Sequence, residues 1–595
     1  MERIADFKPL QRVTLPGLGD LVCTGLIMVV GPNSSGKSQL LHDVYETLAG
    51  EPRALVVATD VSIDKPEWEP FMKCLEKEGY LRTFVDDNGE PQIRPLTTFI
   101  GSGQGIGQIA PSQAQSWHSQ FSTTSGPRRR SEYLNYFGRL LVTALFLDRR
   151  LSSMNQVGVI DFETQPPQHD LHALYLDDEA KQALFEEMRD SFGKAVWPDS
   201  ARGNLLSIRV SDSPVLPAAE DRLSPTKMAL FRTIESEGDG MKSYVATCVS
   251  LLLGRRPVCI IDEPEMCLHP PQAYRLGRFI GTHGASRQGV TLVATHSSQV
   301  LRGAIQVSPD MQIIRMTRDQ SGFAAHLVPA DVLKDALSRP TMRAESVLDG
   351  IFAQSVVVIE GDGDRLVYQT VWETLKDELD LDVHFAAVGG TGGIADICRL
   401  YRILRIPVAV VADLDIVADS GRLKRILLEL APQDVVEGLV NTAKSIMNDI
   451  CRLPPTIEPS ELSDTLAALS GRELSWQSDD DISVRQELNR LSKRLDRMRV
   501  LKRGGVLALD PPIAEPLKAL LGELALHGLF VVPLGELEEW LADYGIVESK
   551  NGKWAWASAA ATAIQSVGVR DGDVWDFVRA VAAFLTQGEI SARTA

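Results

Sequence analysis

Two stretches set carboxylates where an apolar strand should end. At 356–365 the sequence VVVIEGDGDR places Glu360, Asp362 and Asp364 on a glycine-containing turn, with no cation before Arg365. At 406–417, IPVAVVADLDIV ends in Asp413 and Asp415. Residues two apart on an extended backbone project to the same side. Glu360, Asp413 and Asp415 would therefore make a three-carboxylate cluster that repels itself when empty and offers hard oxygen ligands to Mg2+ or Mn2+. One or two such ions can activate water and stabilise the leaving oxygen in phosphodiester cleavage. A calcium loop would need glycine where Arg365 stands and glutamate where Val371 stands. A dinucleotide turn would need G-x-G-x-x-G, which neither GDGD nor GGTGG supplies. Acids on exposed loops would explain either segment alone, but two strand ends together less readily.

A third stretch handles phosphate. LIMVV (26–30) reads as a buried parallel strand, and GPNSSGKS follows at once. The loop comprises Gly31, Pro32, Asn33, Ser34, Ser35, Gly36, Lys37 and Ser38, and an apolar helical face (Leu40, Leu41, Val44, Leu48) continues it. Strand, loop and helix in that order wrap backbone N–H groups around a β-phosphate, with Lys37 on the β- and γ-phosphates and Ser38 on Mg2+. VCIIDEPE (258–265) is a second strand ending in acids: Asp262 would hold the Mg2+ shell and Glu263 would polarise the attacking water. TLVATHSS (291–298) closes on His296, which can contact a γ-phosphate.

The elements that must position these residues fit a chain of 595 residues, too long for one core. With 44% hydrophobic and 24% charged residues, the composition is that of an ordinary globular protein. Seven cysteines without a CxxC pair suggest neither a disulfide framework nor a zinc ribbon, and a reducing cytoplasm is expected. No apolar run approaches a membrane span or an export signal. A net charge of −18 argues against coating nucleic acid by bulk attraction, so any such contact must be local.

The order phosphate loop, IIDEPE, ATHS resembles the ATP-binding-cassette ATPases of the SMC and RecF type. That resemblance implies a signature segment, for which 236–254 stands in place with Ser236, Gly238 and Gly240, although it departs from LSGGQ. It further implies a homodimer, or a higher homo-oligomer, sandwiching two ATP molecules. EGxxD followed by a DxD strand resembles the TOPRIM domain. Both in one chain resemble the OLD (overcoming lysogenization defect) family of nucleases, which includes the ATPase-nuclease subunit of Gabija defence. Carried over by residue, the resemblance implies metal ligation by Glu360, Asp364, Asp413 and Asp415, and by Glu536 or Glu538 of GELE, with Glu538 favoured. It also implies an assisting lysine, Lys553 or Lys550, fixed by no motif.

The expected fold is thus α/β. An ABC-type ATPase domain at 1–335 carries a large, mostly helical insertion at about 60–230, with helices at 131–151 and 178–192 and an arm or dimerisation role. A Rossmann-like TOPRIM domain at 352–545 carries a helical insertion at about 420–525, and a helical segment fills 546–595. In 484–503, Val484, Leu488, Leu491, Leu495 and Met498 form a heptad-like stripe. The other faces of that helix are basic (Arg485, Arg490, Lys493, Arg494, Arg497, Arg499, Lys502, Arg503), so either DNA phosphates or neighbouring acids would balance them. Arg128, Arg129 and Arg130 pose the same choice. Three functions compete: an ATP-regulated DNA endonuclease in defence against invading DNA, an RNA-cleaving effector acting for example on tRNA, and an ATP-driven DNA clamp that does not cleave. The resemblance leaves open a helicase or retron-type partner.

Overall fold

Continuous apolar runs become buried parallel strands, because a strand covered on both faces has no polar side to show. The computed structural model describes residues 3–594 except 52, 96–107, 121–131, 164, 166, 201–202, 223, 287–288, 320–321, 329–344, 380, 390, 456, 472–479, 496–500, 502–503, 536, 542–543 and 547–552. The chain divides into two compact units, 1–335 and 336–595.

In the first unit, six strands form one sheet: β1 (Gly25–Val30), β2 (Val142–Leu145), β3 (Val258–Asp262), β4 (Val290–Ala294), β5 (Gln312–Asp319) and β6 (Gly322–Val328). Their order is β6-β5-β1-β4-β3-β2, parallel throughout except for the β5–β6 hairpin. Register sets Val29 beside Ala294 and Ala294 beside Asp262, so the three central strands end at one edge. Helix α1 (Lys37–Leu48) leaves that edge and buries Leu40, Leu41, Val44 and Leu48 in the sheet's core.

The helix expected over 131–151 is interrupted. It consists of a short helix, Glu132–Phe137, then strand β2, then α2 (Leu147–Ser153). LLVTALF is an apolar run that gains more by pairing with β3 than by continuing a helix. Gly138 lies so close to α1 that a Cβ there would sit 2.2 Å from the Leu48 carbonyl oxygen. The region 60–230 is therefore mixed: it holds α3 (Asp178–Phe192), but also strands Leu81–Val85, Pro91–Pro95, Ala195–Asp199 and Leu205–Ser211. Helix α4 (Asp239–Leu253) then leads into β3.

The second unit is built on β7 (Ser355–Ile359), β8 (Val383–Ala387), β9 (Val408–Ala412) and β10 (Leu529–Val531), all parallel, in the order β8-β7-β9-β10. The chain reverses direction across the sheet between β7 and β9, the switch point where open α/β sheets gather ligands. Helix α5 (Asp362–Thr374) follows β7 and α6 (Ile394–Ile403) follows β8. Between β9 and β10 lie α7 (Ser420–Leu430), α8 (Gln433–Arg452), α9 (Pro459–Ser470), α10 (Asp480–Leu495) and α11 (Pro511–Leu526). After the short α12 (Leu537–Trp540), helices α13 (Lys553–Val567) and α14 (Asp573–Thr594) complete the core rather than trail from it. Trp556, Ala560, Ile564, Trp575 and Leu585 are buried with the strand residues Val357, Ile359 and Val411. Among the described residues no helix is long and apolar enough to cross a membrane.

Candidate functional site

In the first unit the phosphate loop is drawn tight by glycine. Gly31 has φ 142°, and a Cβ on it would meet the Met316 carbonyl oxygen at 2.2 Å, so no side chain fits there. Lys37 is buried and donates to its own loop, to the carbonyls of Gly31 (2.9 Å) and Pro32 (2.7 Å). Burial lowers its pKa, opposed by the charges of Glu263, Glu265 and Asp262. The Ser38 hydroxyl donates to Asp262 Oδ1 at 2.9 Å, joining α1 to the end of β3 across 224 positions of sequence. The Ser35 hydroxyl is buried with no partner among the described residues. A nucleotide triphosphate fits this loop: it would satisfy Ser35, draw Lys37 off the carbonyls, and face the N-terminus of α1.

Glu263 sits at φ 47°, a left-handed conformation uncommon for glutamate, and its N–H donates to the Ala294 carbonyl at 2.8 Å. His296 Nδ1 lies 3.4 Å from Glu263 Oε1 and 3.3 Å from Glu265 Oε1. The Glu263 hydrogen bond raises the His296 pKa, and the same contact lowers that of Glu263. Burial raises the pKa of Asp262, partly offset by Ser38.

Two residues of this site have roles the sequence does not announce: Arg150, outside any motif, and Glu265, the last residue of VCIIDEPE. Arg150 of α2 is fully buried and donates to the carbonyls of Leu145 (2.7 Å), Asp262 and Glu263 (2.9 Å), and to Ser243 Oγ of α4 (2.9 Å). It is the clamp that holds the turn after β3. Glu265, also buried, accepts from Thr295 Oγ1 (2.7 Å) and the His296 N–H (2.9 Å), tying β3 to β4. Of the signature segment, Gly238 is the exposed N-cap of α4, with open space where a Cβ would be. Gly240 instead presses on the Cys267 carbonyl oxygen, 2.2 Å from an added Cβ, which is a packing reason for glycine.

In the second unit, Glu360, Asp364, Asp413, Glu538 and Lys553 line one cleft of about 380 Å³, together with Asp362, Gly389, Trp554, Trp556 and Ala557. Ile359 pairs with both Val411 and Ala387, so Glu360, Asp413 and the turn carrying Gly389 leave the same sheet edge. EGDGD is not a free loop: Gly361 is the N-cap of α5, and Asp362 and Asp364 fall in its first turn, where acids favour the helix dipole. The Asp364 carboxyl also accepts the N-cap N–H of Gly361. Burial first, then Glu538 and Glu360, push the Asp364 pKa up to about 6, with Lys553 opposing. Burial, then Asp364, Glu360, Asp415 and Glu538, push Asp413 to about 7. One helical turn beyond Asp364, the Tyr368 hydroxyl is buried without a partner among the described residues, facing the charges of Asp413, Asp364 and Glu538.

The Asp413–Asp415 argument from strand alternation does not hold. Strand β9 ends at Ala412; Asp413 caps a 3-10 turn, Leu414–Val417, which carries Asp415 to an exposed position outside the cleft lining. Its charge still reaches Asp413. Among the described residues no three His, Cys, Asp or Glu side chains converge tightly enough to form a ready ligand shell. The donor set nevertheless suits a divalent cation: acids held in one cleft raise each other's pKa, and a buried hydroxyl beside them lacks a partner. Glu536 and Lys550 lie outside the described residues, as do Arg128, Arg129, Arg130, Arg497, Arg499, Lys502 and Arg503. The stripe on α10 is only partly used: Leu491 is buried, whereas Leu488 is 49% exposed and Leu495 42%. On its basic face Arg494 pairs with Glu461 and Arg490 approaches Glu487.

One unit of the chain carries a phosphate loop and the other gathers carboxylates at the switch point of a parallel sheet. Residues 351–415 match the family described as overcoming lysogenization defect protein-like, TOPRIM domain, and residues 203–302 match AAA domain, putative AbiEii toxin, Type IV TA system. The chain thus joins a match to an AAA domain with a match to an OLD-like TOPRIM domain, a pairing that supports an ATP-dependent nuclease using nucleotide and divalent metal. The two matches span Glu360, Asp364, Asp413 and Asp415, and Asp262, Glu263 and His296, but reach neither Glu538 nor Lys553. Among solved structures, an Smc head bound to the C-terminal winged-helix domain of ScpA is similar at 12% identity and TM-score 0.31, covering 54% of this chain and 99% of that one. The SMC head domain of Thermotoga maritima is similar at 13% identity and TM-score 0.27, covering 54% and 98%. These likenesses are too distant to carry a further conclusion. No curated protein matches the sequence.

Proposed function

We propose that this protein is an ATP-regulated, divalent-metal-dependent DNA endonuclease acting in defence against phage or other invading DNA. The observation that carries the reading is the cleft in which Glu360, Asp364, Asp413 and Glu538 meet Lys553. In this reading those four carboxylates hold Mg2+ or Mn2+, with Asp415 adding its charge from outside. A bound divalent cation supplies Lewis-acid activation of water and neutralises charge on the scissile phosphate. Lys553 presents donors to the non-bridging oxygens. In the ATPase unit Lys37 and the loop amides bind the β- and γ-phosphates, Ser38 and Asp262 hold Mg2+, Glu263 orients water, and His296 contacts the γ-phosphate. Gly238, exposed at the N-terminus of α4, is placed by this reading against the nucleotide of a second copy, which makes a homodimer part of the mechanism. The basic 484–503 segment is its candidate DNA contact.

Supercoiled plasmid with Mg2+ or Mn2+, with and without ATP, tests the reading. Wild type should nick and Glu360→Ala should not. Cleavage of tRNA or other RNA alone transfers the proposal to a ribonuclease. Cleavage of neither, with ATP hydrolysis intact, leaves an ATP-driven clamp. Lys37→Ala should fold and lose ATP hydrolysis.

A further inference from the structure

Trp554 stands in the first turn of α13, next to Lys553, and lines the carboxylate cleft while remaining 59% exposed. Its near neighbour Trp556 is buried in the core of the unit, so the packing of α13 does not require an indole at 554. A large aromatic left in water at the rim of a polar cleft is a surface awaiting a flat apolar partner. At about 380 Å³ the cleft falls at the small end of ligand pockets, roughly 300–1,000 Å³, a size that suits a single nucleotide. Glycine at 389 keeps one wall low, with nothing within 4 Å of the position a Cβ would take.

We propose that the strand to be cut enters this cleft unpaired, with one base stacked on the Trp554 indole and its phosphate beside Lys553 and the acids. The inference rests on the nuclease reading of the cleft and names its substrate as single-stranded DNA or a nucleotide turned out of a duplex. Bases of every kind have a π-face, so such a platform binds without reading sequence. It also suits a chain of net charge −18, which gains little from bulk attraction to phosphate: stacking survives salt, whereas counterion release does not.

Fluorescence anisotropy with full-length protein in EDTA, where nothing is cut, tests the proposal. The probes are a short labelled oligothymidylate and a blunt hairpin duplex of equal length. Wild type should prefer the unpaired strand and keep that preference as salt rises. Trp554→Ala should weaken oligothymidylate binding by roughly 5- to 150-fold while leaving the hairpin unchanged. Trp554→Tyr should recover most of the loss. Equal binding of both probes by wild type, or a Trp554→Ala protein that binds oligothymidylate as wild type does or loses both probes alike, overturns it. With Mg2+ or Mn2+ added, Glu360-dependent cutting that ignores Trp554 and strand pairing sinks the stacking proposal alone. Trp554-dependent binding with no cutting of any nucleic acid sinks the nuclease reading and leaves the stacking site standing.

Discussion

At the scale of single residues, the two sites differ in how their charges are held. The ATPase residues are already satisfied by one another: Lys37 by carbonyls, Ser38 by Asp262, Glu263 by His296. Arg150 is the residue on which that order depends, because its fully buried guanidinium fills the acceptors of three carbonyls. Arg150→Met should cost on the order of 2–4 kcal/mol in urea unfolding and abolish ATP hydrolysis, since it leaves buried carbonyls unpaired. His296 has its pKa raised above 6.5 by Glu263. The stability this contact contributes is complete below 6.5 and is lost as pH rises through the higher folded-state value. In a histidine NMR titration, the His296 midpoint should lie above 6.5 in wild type and fall in Glu263→Gln; an equal midpoint in both would show that the contact is not made in solution. Asp262 and Glu263 were legible from sequence because a motif fixes them. Arg150, Glu265 and Tyr368 were not, since burial and partner, not spacing, give each its role.

At the scale of elements, α13 does what no motif announces. Its small residues let it lie close to α5: Ala557 faces Gly363, where an added Cβ would still be 3.6 Å away. That closeness brings Lys553 to the acids. Ala557→Leu should cost about 1–3 kcal/mol through overpacking. By moving the helix it should also abolish cleavage while leaving Mn2+ binding, measured by calorimetric titration, close to wild type. Loss of both together would mean that α13 supports the acids as well as the lysine. The turn after β9 teaches the opposite lesson. Alternation predicts the direction of Asp415 only while the strand lasts, and the strand stops at Ala412 because Asp413 begins a helical turn. On α10, pairing of Arg494 with Glu461 shows that some of the cations are balanced locally.

At the scale of the whole molecule, each of the two units has its own sheet and its own core, and each carries one candidate site. Differential scanning calorimetry should therefore resolve two transitions. Mg2+ alone should raise one, and a non-hydrolysable ATP analogue with Mg2+ should raise the other, each by roughly 4–5 °C at a hundredfold excess over Kd. Glu360→Ala should remove the first shift and Lys37→Ala the second; a shift of both transitions by Mg2+ alone would contradict separate sites. By itself the sequence determined the strand-loop-helix of the phosphate site, the two parallel sheets and the acids at their strand ends, because these follow from periodicity and contiguous motifs. Only the tertiary structure decided that β2 belongs to the ATPase sheet, that Arg150 clamps the turn after β3, and that Glu538, Lys553 and Trp554 join Glu360 and Asp413 in one cleft. Sheet pairing sets Glu360 beside Asp413, and packing of α13 against α5 brings in Lys553 and Trp554 from nearly two hundred positions away.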